Sequence, residues 1–167
     1  MATKTPEPAR RRVRTRRELA REIARWRRGG QRVVFTSGCF DLLHIGHVRS
    51  FEAARELGDI LVVGVNRDRR VRELKGAGRP LVGERRRAEM VAALACVERV
   101  VLFGENDAGP LIRALRPDIA CKGGEYRGER IPEQAAIEDL GGRFVHLRQI
   151  PGARTTLLLD RAASGAD

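Results

Sequence analysis

From Gly30 onward this chain of 167 residues alternates short β-branched runs with segments of helical periodicity, and that alternation most narrows what it can fold into. The spacing predicts strands over 33–37, 60–66, 99–103, 118–122 and 143–147, and helices over 45–57, 84–95, 108–115 and 132–140. A strand, a crossing helix and a second strand join parallel neighbours. The pattern therefore predicts an α/β fold: a doubly wound, five-stranded parallel sheet with helices on both faces. Gly58-Asp59 closes the first of these helices, and Arg116-Pro117-Asp118 closes a later one and launches a strand. The basic stretch 67–83, containing Lys75-Gly76-Ala77-Gly78-Arg79-Pro80, lacks clear periodicity and reads as a substrate loop.

Ligands of open parallel sheets collect beyond the carboxyl ends of the strands. Three polar clusters fall there: Ser37-Gly38-Cys39, Asn66-Arg67-Asp68 and Lys122-Gly123-Gly124-Glu125-Tyr126. Turn chemistry accounts for any one of them, whereas three at one edge favour a pocket. The first runs into Gly38-Cys39-Phe40-Asp41-Leu42-Leu43-His44-Ile45-Gly46-His47, which sets two imidazoles around a glycine where strand gives way to helix. Unpaired N–H groups at a helix N-terminus attract phosphate oxygens, Gly46 keeps no side chain in the way, and His44 and His47 share a face. Two other readings stand beside this one. The histidines could be a zinc pair with Asp41 as third ligand, although i, i+4 spacing is commoner for such pairs on a helix, or they could merely cap and pack. Near the end, Gly152-Ala153-Arg154-Thr155-Thr156 precedes Leu157-Leu158-Leu159 and reads as a capped helix start able to hold a second anion.

The net charge of +11 raises the question of nucleic acid. Residues 1–32 hold twelve of the 33 basic residues against three of the 22 acidic ones, so the remainder is nearly balanced. Arg10, Arg11, Arg12, Arg14, Arg16 and Arg17 have no aromatic residue among them before Trp26, which disfavours a nucleic-acid partner. Leu19, Ile23 and Trp26 predict a helix over 15–28 that docks one apolar stripe and leaves its arginines in water. Residues 1–14 and 163–167 are expected to be disordered tails around a domain over 15–162. Only Lys4, Lys75 and Lys122 are lysines, so Lys75 and Lys122 are either phosphate ligands kept for a compact ammonium or chance survivors. Cys39, Cys96 and Cys121 are odd in number without a C-x-x-C pair, which points to a reducing compartment and the cytoplasm. No apolar run approaches the roughly 20 residues of a membrane span, and no secretory signal opens the chain.

The stretch from Gly38 to His47 resembles the signature of the nucleotidyltransferase superfamily that includes the cytidylyltransferases, with His44-Ile45-Gly46-His47 as its H-x-G-H motif. Val65-Asn66-Arg67-Asp68, Leu74-Lys75-Gly76 with Arg79-Pro80, Arg87 ahead of Ala88 to Leu94, Arg116-Pro117-Asp118 and Lys122 to Tyr126 extend the likeness over about 30–162. Together they resemble the adenylyltransferases that act on D-glycero-D-manno-heptose 1-phosphate. Many of those are fused to a ribokinase-like sugar kinase, and the length here predicts a stand-alone form. Arg154-Thr155-Thr156 departs from the usual Ser-Thr-Thr, and Arg67 replaces the serine of Asn-Ser-Asp.

The resemblance implies a Rossmann-like fold and in-line transfer of AMP from ATP to the sugar phosphate, with Mg2+ carried on the ATP and a homodimer among the expected partners. It implies catalytic roles for His44, His47 and Lys75. It implies nucleotide contacts from Gly38, Cys39, Phe40, Gly46, Lys122, Gly123, Arg154, Thr155 and Thr156, besides the two histidines. It implies substrate contacts from Asp41, Asn66, Asp68, Lys75, Arg87, Gly124 and Glu125, and no metal held by the protein itself. A cytidylyltransferase acting on glycerol 3-phosphate or another small alcohol phosphate is the alternative within the superfamily. A nucleic-acid module built on the arginine tail is the alternative outside it.

Overall fold

In the computed structural model, which describes residues 7–123 and 130–148, the chain runs α1 (Ala9–Arg12), β1 (Val13–Arg14), α2 (Arg16–Arg28), β2 (Val33–Gly38), α3 (Ile45–Arg55), β3 (Ile60–Asn66) and α4 (Asp68–Lys75). It continues through α5 (Glu84–Ala92), β4 (Arg99–Phe103), α6 (Gly109–Leu115), β5 (Ile119–Gly123), α7 (Pro132–Glu138) and β6 (Arg143–Leu147). The strands form one all-parallel sheet in the order β1-β4-β3-β2-β5-β6. Strands 60–66, 99–103 and 143–147 have the bounds that their β-branched runs predict. Helices α3, α5 and α7 stop two or three residues early, as final turns commonly do.

The two-residue period of the strands divides the core. Val33, Phe35, Val62, Val101 and Ala120 face α2, α6 and α7 through Leu19, Ile23, Trp26, Leu111, Ile112 and Ile137. Val34, Leu61, Val63, Val65 and Val100 face α3 and α5 through Phe51, Ala54, Ala88 and Val91. Gly64 serves this packing, because a Cβ there would lie 2.9 Å from the Phe35 ring. Among the described residues no helix is long and apolar enough to cross a membrane.

Two expectations are corrected here. The sheet has a sixth strand: Val13 and Arg14 pair with Val100 and Val101 of β4, so the later part of the expected disordered tail is folded onto the sheet. Glu22 and a backbone carbonyl hold it there. Arg14 bonds Glu22 at 2.8 Å, Arg99 bonds the same Glu22 at 2.7 Å, and Arg12 donates to the Ala92 carbonyl at 2.8 Å. The added strand covers the edge that β4 would otherwise expose. The second correction is that the expected loop 67–83 contains α4, whose exposed basic residues hid its period; only Val71 of that helix is buried. The helix expected over 15–28 forms as α2, with Thr15 and Glu18 closing a reciprocal capping box and Leu19, Ile23 and Trp26 buried.

The strand order places β3 on one side of β2 and β5 on the other. Helix α3 leaves β2 toward one face while α6 and α7 pack on the opposite face, so a crevice opens at the carboxyl ends of β2 and β5.

Candidate active site

The turn after β2 is shaped by a glycine and a strained phenylalanine. Phe40 adopts a left-handed φ of 47°, which folds its ring back until a Cβ on Gly38 would come within 2.9 Å of it. The ring packs at 5.0 Å on Phe51 and meets the edge of His47 at 5.3 Å. His44 is the N-cap of α3 in extended conformation, and its backbone N–H donates to His47 Nδ1 at 3.4 Å. The two imidazoles stack with centroids 3.8 Å apart and an interplanar angle of 22°.

This packing determines protonation. Burial, then the neighbouring His44 and Lys75, push His47 down to about 4, and burial followed by the Lys75 charge also lowers His44. Both rings are therefore neutral near pH 7. Since His47 Nδ1 accepts the His44 amide, its proton sits on Nε2, which becomes a hydrogen-bond donor. Lys75, the last residue of α4, is exposed, pairs with no carboxylate among the described residues, and reaches both rings electrostatically. A helix N-terminus, an imidazole N–H and an ammonium together make a site for phosphate oxygens.

Several residues expected as ligands are held by partners within the chain. The Asp41 side chain is wholly buried and accepts from Arg79 Nε at 2.5 Å, from the Leu81 N–H at 2.8 Å and from the Val82 N–H at 3.0 Å. Burial alone would raise its pKa, but the Val82 and Leu81 amides and the Arg79 guanidinium outweigh burial and hold it below the ordinary value. Asp41 is thus taken up with the segment after α4, which also removes the third ligand from the zinc reading. Arg87, expected on the incoming phosphate, is fully buried. It donates to the carbonyls of Val82 at 2.8 Å and Asn66 at 2.7 Å, to that of Cys39, and to Asp68 Oδ1 at 2.7 Å. The guanidinium ties β2, β3 and the segment after α4 together, and it occupies Asp68 as well. Cys39 is kept a neutral thiol by burial. Among the described residues no group of three or more His, Cys, Asp and Glu is placed to hold a metal ion.

A pocket of about 220 Å³ lies between the carboxyl ends of β2, β3, β4 and β5. Ser37, Gly38 and Asn66 line its floor, Arg70 and Leu74 of α4 one wall, and Lys122 and Glu133 another. Lys122 Nζ lies 2.6 Å from Glu133 Oε1. Sequence reasoning missed Arg70, Asn106 and Glu133: the first was hidden in a basic run, the others in turn and first-turn positions. Arg67 is directed elsewhere, pairing with Glu84 at 2.7 Å and lining a separate hollow beside β1. A larger hollow of about 630 Å³, with Arg27, Arg28, Arg32 and Asp118, lies at the amino ends of β2 and β5, the opposite edge of the sheet from the histidines. Gly123 ends β5 in an exposed position, while Gly124, Glu125, Arg154, Thr155 and Thr156 lie outside the described residues.

Known proteins share this arrangement of sequence. The profile of a family described as cytidylyltransferase-like matches residues 35–140. The bifunctional protein HldE of Koribacter versatilis is 47% identical over 147 residues, covering 88% of this chain and 30% of that protein. Its counterpart from Syntrophotalea carbinolica is 46% identical over 149 residues, with 89% and 30% covered. The chain thus spans about a third of the length of these relatives. The crystal structure of a lipopolysaccharide core biosynthesis protein from Thermoplasma volcanium superposes with a TM-score of 0.61 at 31% identity, covering 72% of this chain and 98% of that one.

Proposed function

We propose that this chain, which belongs to the cytidylyltransferase-like family of nucleotidyltransferases, transfers AMP from ATP to D-glycero-D-manno-heptose 1-phosphate and releases pyrophosphate. The observation that carries the reading is the stacked, neutral pair His44 and His47 at the start of α3, with the Lys75 charge acting on both. The heptose identity is supported by the matching segments around Lys75, Arg87 and Lys122 and by the identity to HldE proteins.

An oxygen of the sugar phosphate attacks the α-phosphorus of MgATP in line, the bond to the bridging β-phosphate oxygen breaks, and pyrophosphate departs. His47 Nε2–H donates to a phosphate oxygen on which charge grows, and the free amides opening α3 do the same. Lys75 neutralises the approaching sugar phosphate, while Gly38, Phe40 and Gly46 keep the backbone of the turn close to the triphosphate. Magnesium would be carried by the triphosphate and would neutralise its charge there, while Asp41 and Asp68 stay with Arg79 and Arg87. Lys122 and Gly123, with Gly124, Glu125 and the Arg154 to Thr156 segment, are proposed to complete the nucleotide and sugar contacts. Three free cysteines among the described residues suit a reducing cytoplasm.

The test is pyrophosphate release from ATP with a panel of sugar 1-phosphates, repeated with CTP and with His47→Ala. ATP binding is expected to stay measurable in the variant while turnover falls about 10²-fold to 10³-fold. Wild-type turnover by a folded His47→Ala protein would end the reading, and a preference for CTP would transfer it to the cytidylyltransferase alternative.

A further inference from the structure

We propose that Arg79 is a positioning residue for the transfer: it latches onto Asp41 and so fixes where the Lys75 ammonium stands relative to the histidine pair; this rests on the transfer reaction proposed above. The reason lies in how little else holds Lys75. In α4 only Val71 is buried, Arg70 is tied to the Asn106 carbonyl at 2.7 Å, and every residue from 72 to 78 is exposed. The helix ends at Gly76, whose φ of 95° turns the chain aside. A helix end with no buried side chain opens easily, so Lys75 would sweep a wide arc if the chain after it were free.

That chain is anchored within one turn. The Arg79 N–H donates to the Gly76 carbonyl at 3.2 Å, which closes the turn 76–79. Arg79 Nε then meets Asp41 Oδ2 at 2.5 Å, and the Leu81 and Val82 amides donate to the same carboxylate at 2.8 and 3.0 Å. Asp41 belongs to the turn that leads into His44, the N-cap of α3. One buried carboxylate is therefore the fixed point shared by the imidazoles and the lysine. The anchor gives direction rather than strength. Arg79 Nη2 is buried without a hydrogen-bond partner, a loss that an apolar side chain at this position would avoid. An apolar contact can slide, whereas a carboxylate accepting from a guanidinium and two amides admits one arrangement. The Lys75 charge accordingly bears on both His44 and His47.

The experiment is a double-mutant cycle on kcat/KM for D-glycero-D-manno-heptose 1-phosphate, read as pyrophosphate release from ATP by the full chain. Lys75→Met is combined with Arg79→Met and, separately, with insertion of two glycines between Ala77 and Gly78. The insertion spares the buried pair and the core, since a Cβ on Gly76 or Gly78 would meet no atom within 4 Å and a longer surface loop costs little. It only uncouples Lys75 from the latch. Lys75→Met is expected to lower kcat/KM about 10-fold to 100-fold in the wild type, the loss of one charged hydrogen bond, and less than about 3-fold once either change has freed Lys75. A second readout needs no turnover. In imidazole NMR titrations Lys75→Met should raise the pKa of His44 and His47 in the wild type and leave them nearly unmoved in the insertion variant. If Arg79→Met does not fold, the insertion variant carries the test. The same effect of Lys75→Met in every background, or none in the wild type, overturns the inference and leaves Arg79 an anchor of the fold alone. A wild type inactive with every sugar 1-phosphate removes the transfer reading instead, and the imidazole shifts then still decide whether the latch places Lys75.

Discussion

Replacing Arg87 by methionine separates two roles that its position in the sequence leaves confounded. If its guanidinium belongs to the frame, the substitution strands three backbone carbonyls and the Asp68 carboxylate in a site where Arg87 itself has no exposure. Breaking a buried ion pair from one side costs about 3–5 kcal/mol, and each buried carbonyl left unpaired adds to that loss in principle. Asp68 lowers the figure, because its side chain keeps 27% exposure and can recruit water. A net loss of about 4 kcal/mol is a large part of the 5–15 kcal/mol that holds a domain together. With a urea dependence of about 2 kcal/mol per molar, the unfolding midpoint should fall by about 2 M. Arg87→Lys should recover only a fraction, since one ammonium cannot span acceptors on three segments. The assay is urea denaturation followed by far-UV circular dichroism, paired with pyrophosphate release well below the midpoint. A midpoint lowered by less than about 0.5 M together with abolished transfer would refute the frame assignment and return Arg87 to the substrate phosphate.

Three further outcomes follow from the same geometry. Because the folded pKa of His47 is depressed to about 4, the unfolded chain takes up that proton near pH 6.5 while the folded chain resists it. Stability should therefore rise with pH between about 4 and 6.5, and His47→Asn should flatten the slope in urea titrations across that window; an unaltered slope contradicts the burial described here. Lys75→Met should raise the pKa of His44 and His47, read by imidazole resonances in an NMR titration, while leaving thermal stability unchanged because Lys75 is exposed and without an ion pair among the described residues. Deleting residues 1–14 removes β1 and the Arg12 and Arg14 contacts, so the truncated protein should melt lower and associate through the uncovered β4 edge, seen by calorimetry and light scattering.

The sheet was legible because its strands are buried on both faces and so announce themselves as unbroken apolar runs; β3 is buried along all of its seven residues. Strand β1 was not, because two residues carry no period and their pairing depends on β4, 87 positions away. Helix α4 was hidden for a related reason: with only Val71 buried, its pattern is that of a solvated basic segment. At the site, the strand-to-helix junction that brings His44 and His47 together could be read from the sequence, since the apolar run 33–36 ends there and helical spacing follows. The fate of the charged residues could not. Whether Asp41, Asp68 and Arg87 meet a ligand or one another depends on which segments the fold brings together, and no local spacing encodes that Arg79 closes on Asp41 from 38 residues away.

The distribution of positive charge bears on catalysis itself. In an arginine-rich chain the guanidiniums nearest the turn are taken up internally, Arg79 by Asp41, Arg87 by Asp68 and backbone carbonyls, and Arg67 by Glu84. What the described residues are proposed to offer the phosphates is more local: helix amides, an uncharged imidazole donor and two lysines, Lys75 and the Glu133-paired Lys122. Fixed full charges bind the ground-state triphosphate and the departing pyrophosphate as firmly as the transition state, which lowers KM and slows release without raising turnover. Neutral donors held in place by stacking contribute mainly where charge accumulates during the transfer, and the depressed pKa of His47 keeps them neutral across the physiological range. The packing of Phe40 and His44 around His47 is therefore more than a scaffold: in the proposed reaction it would hold the imidazole in the uncharged form that donates to the reacting phosphate.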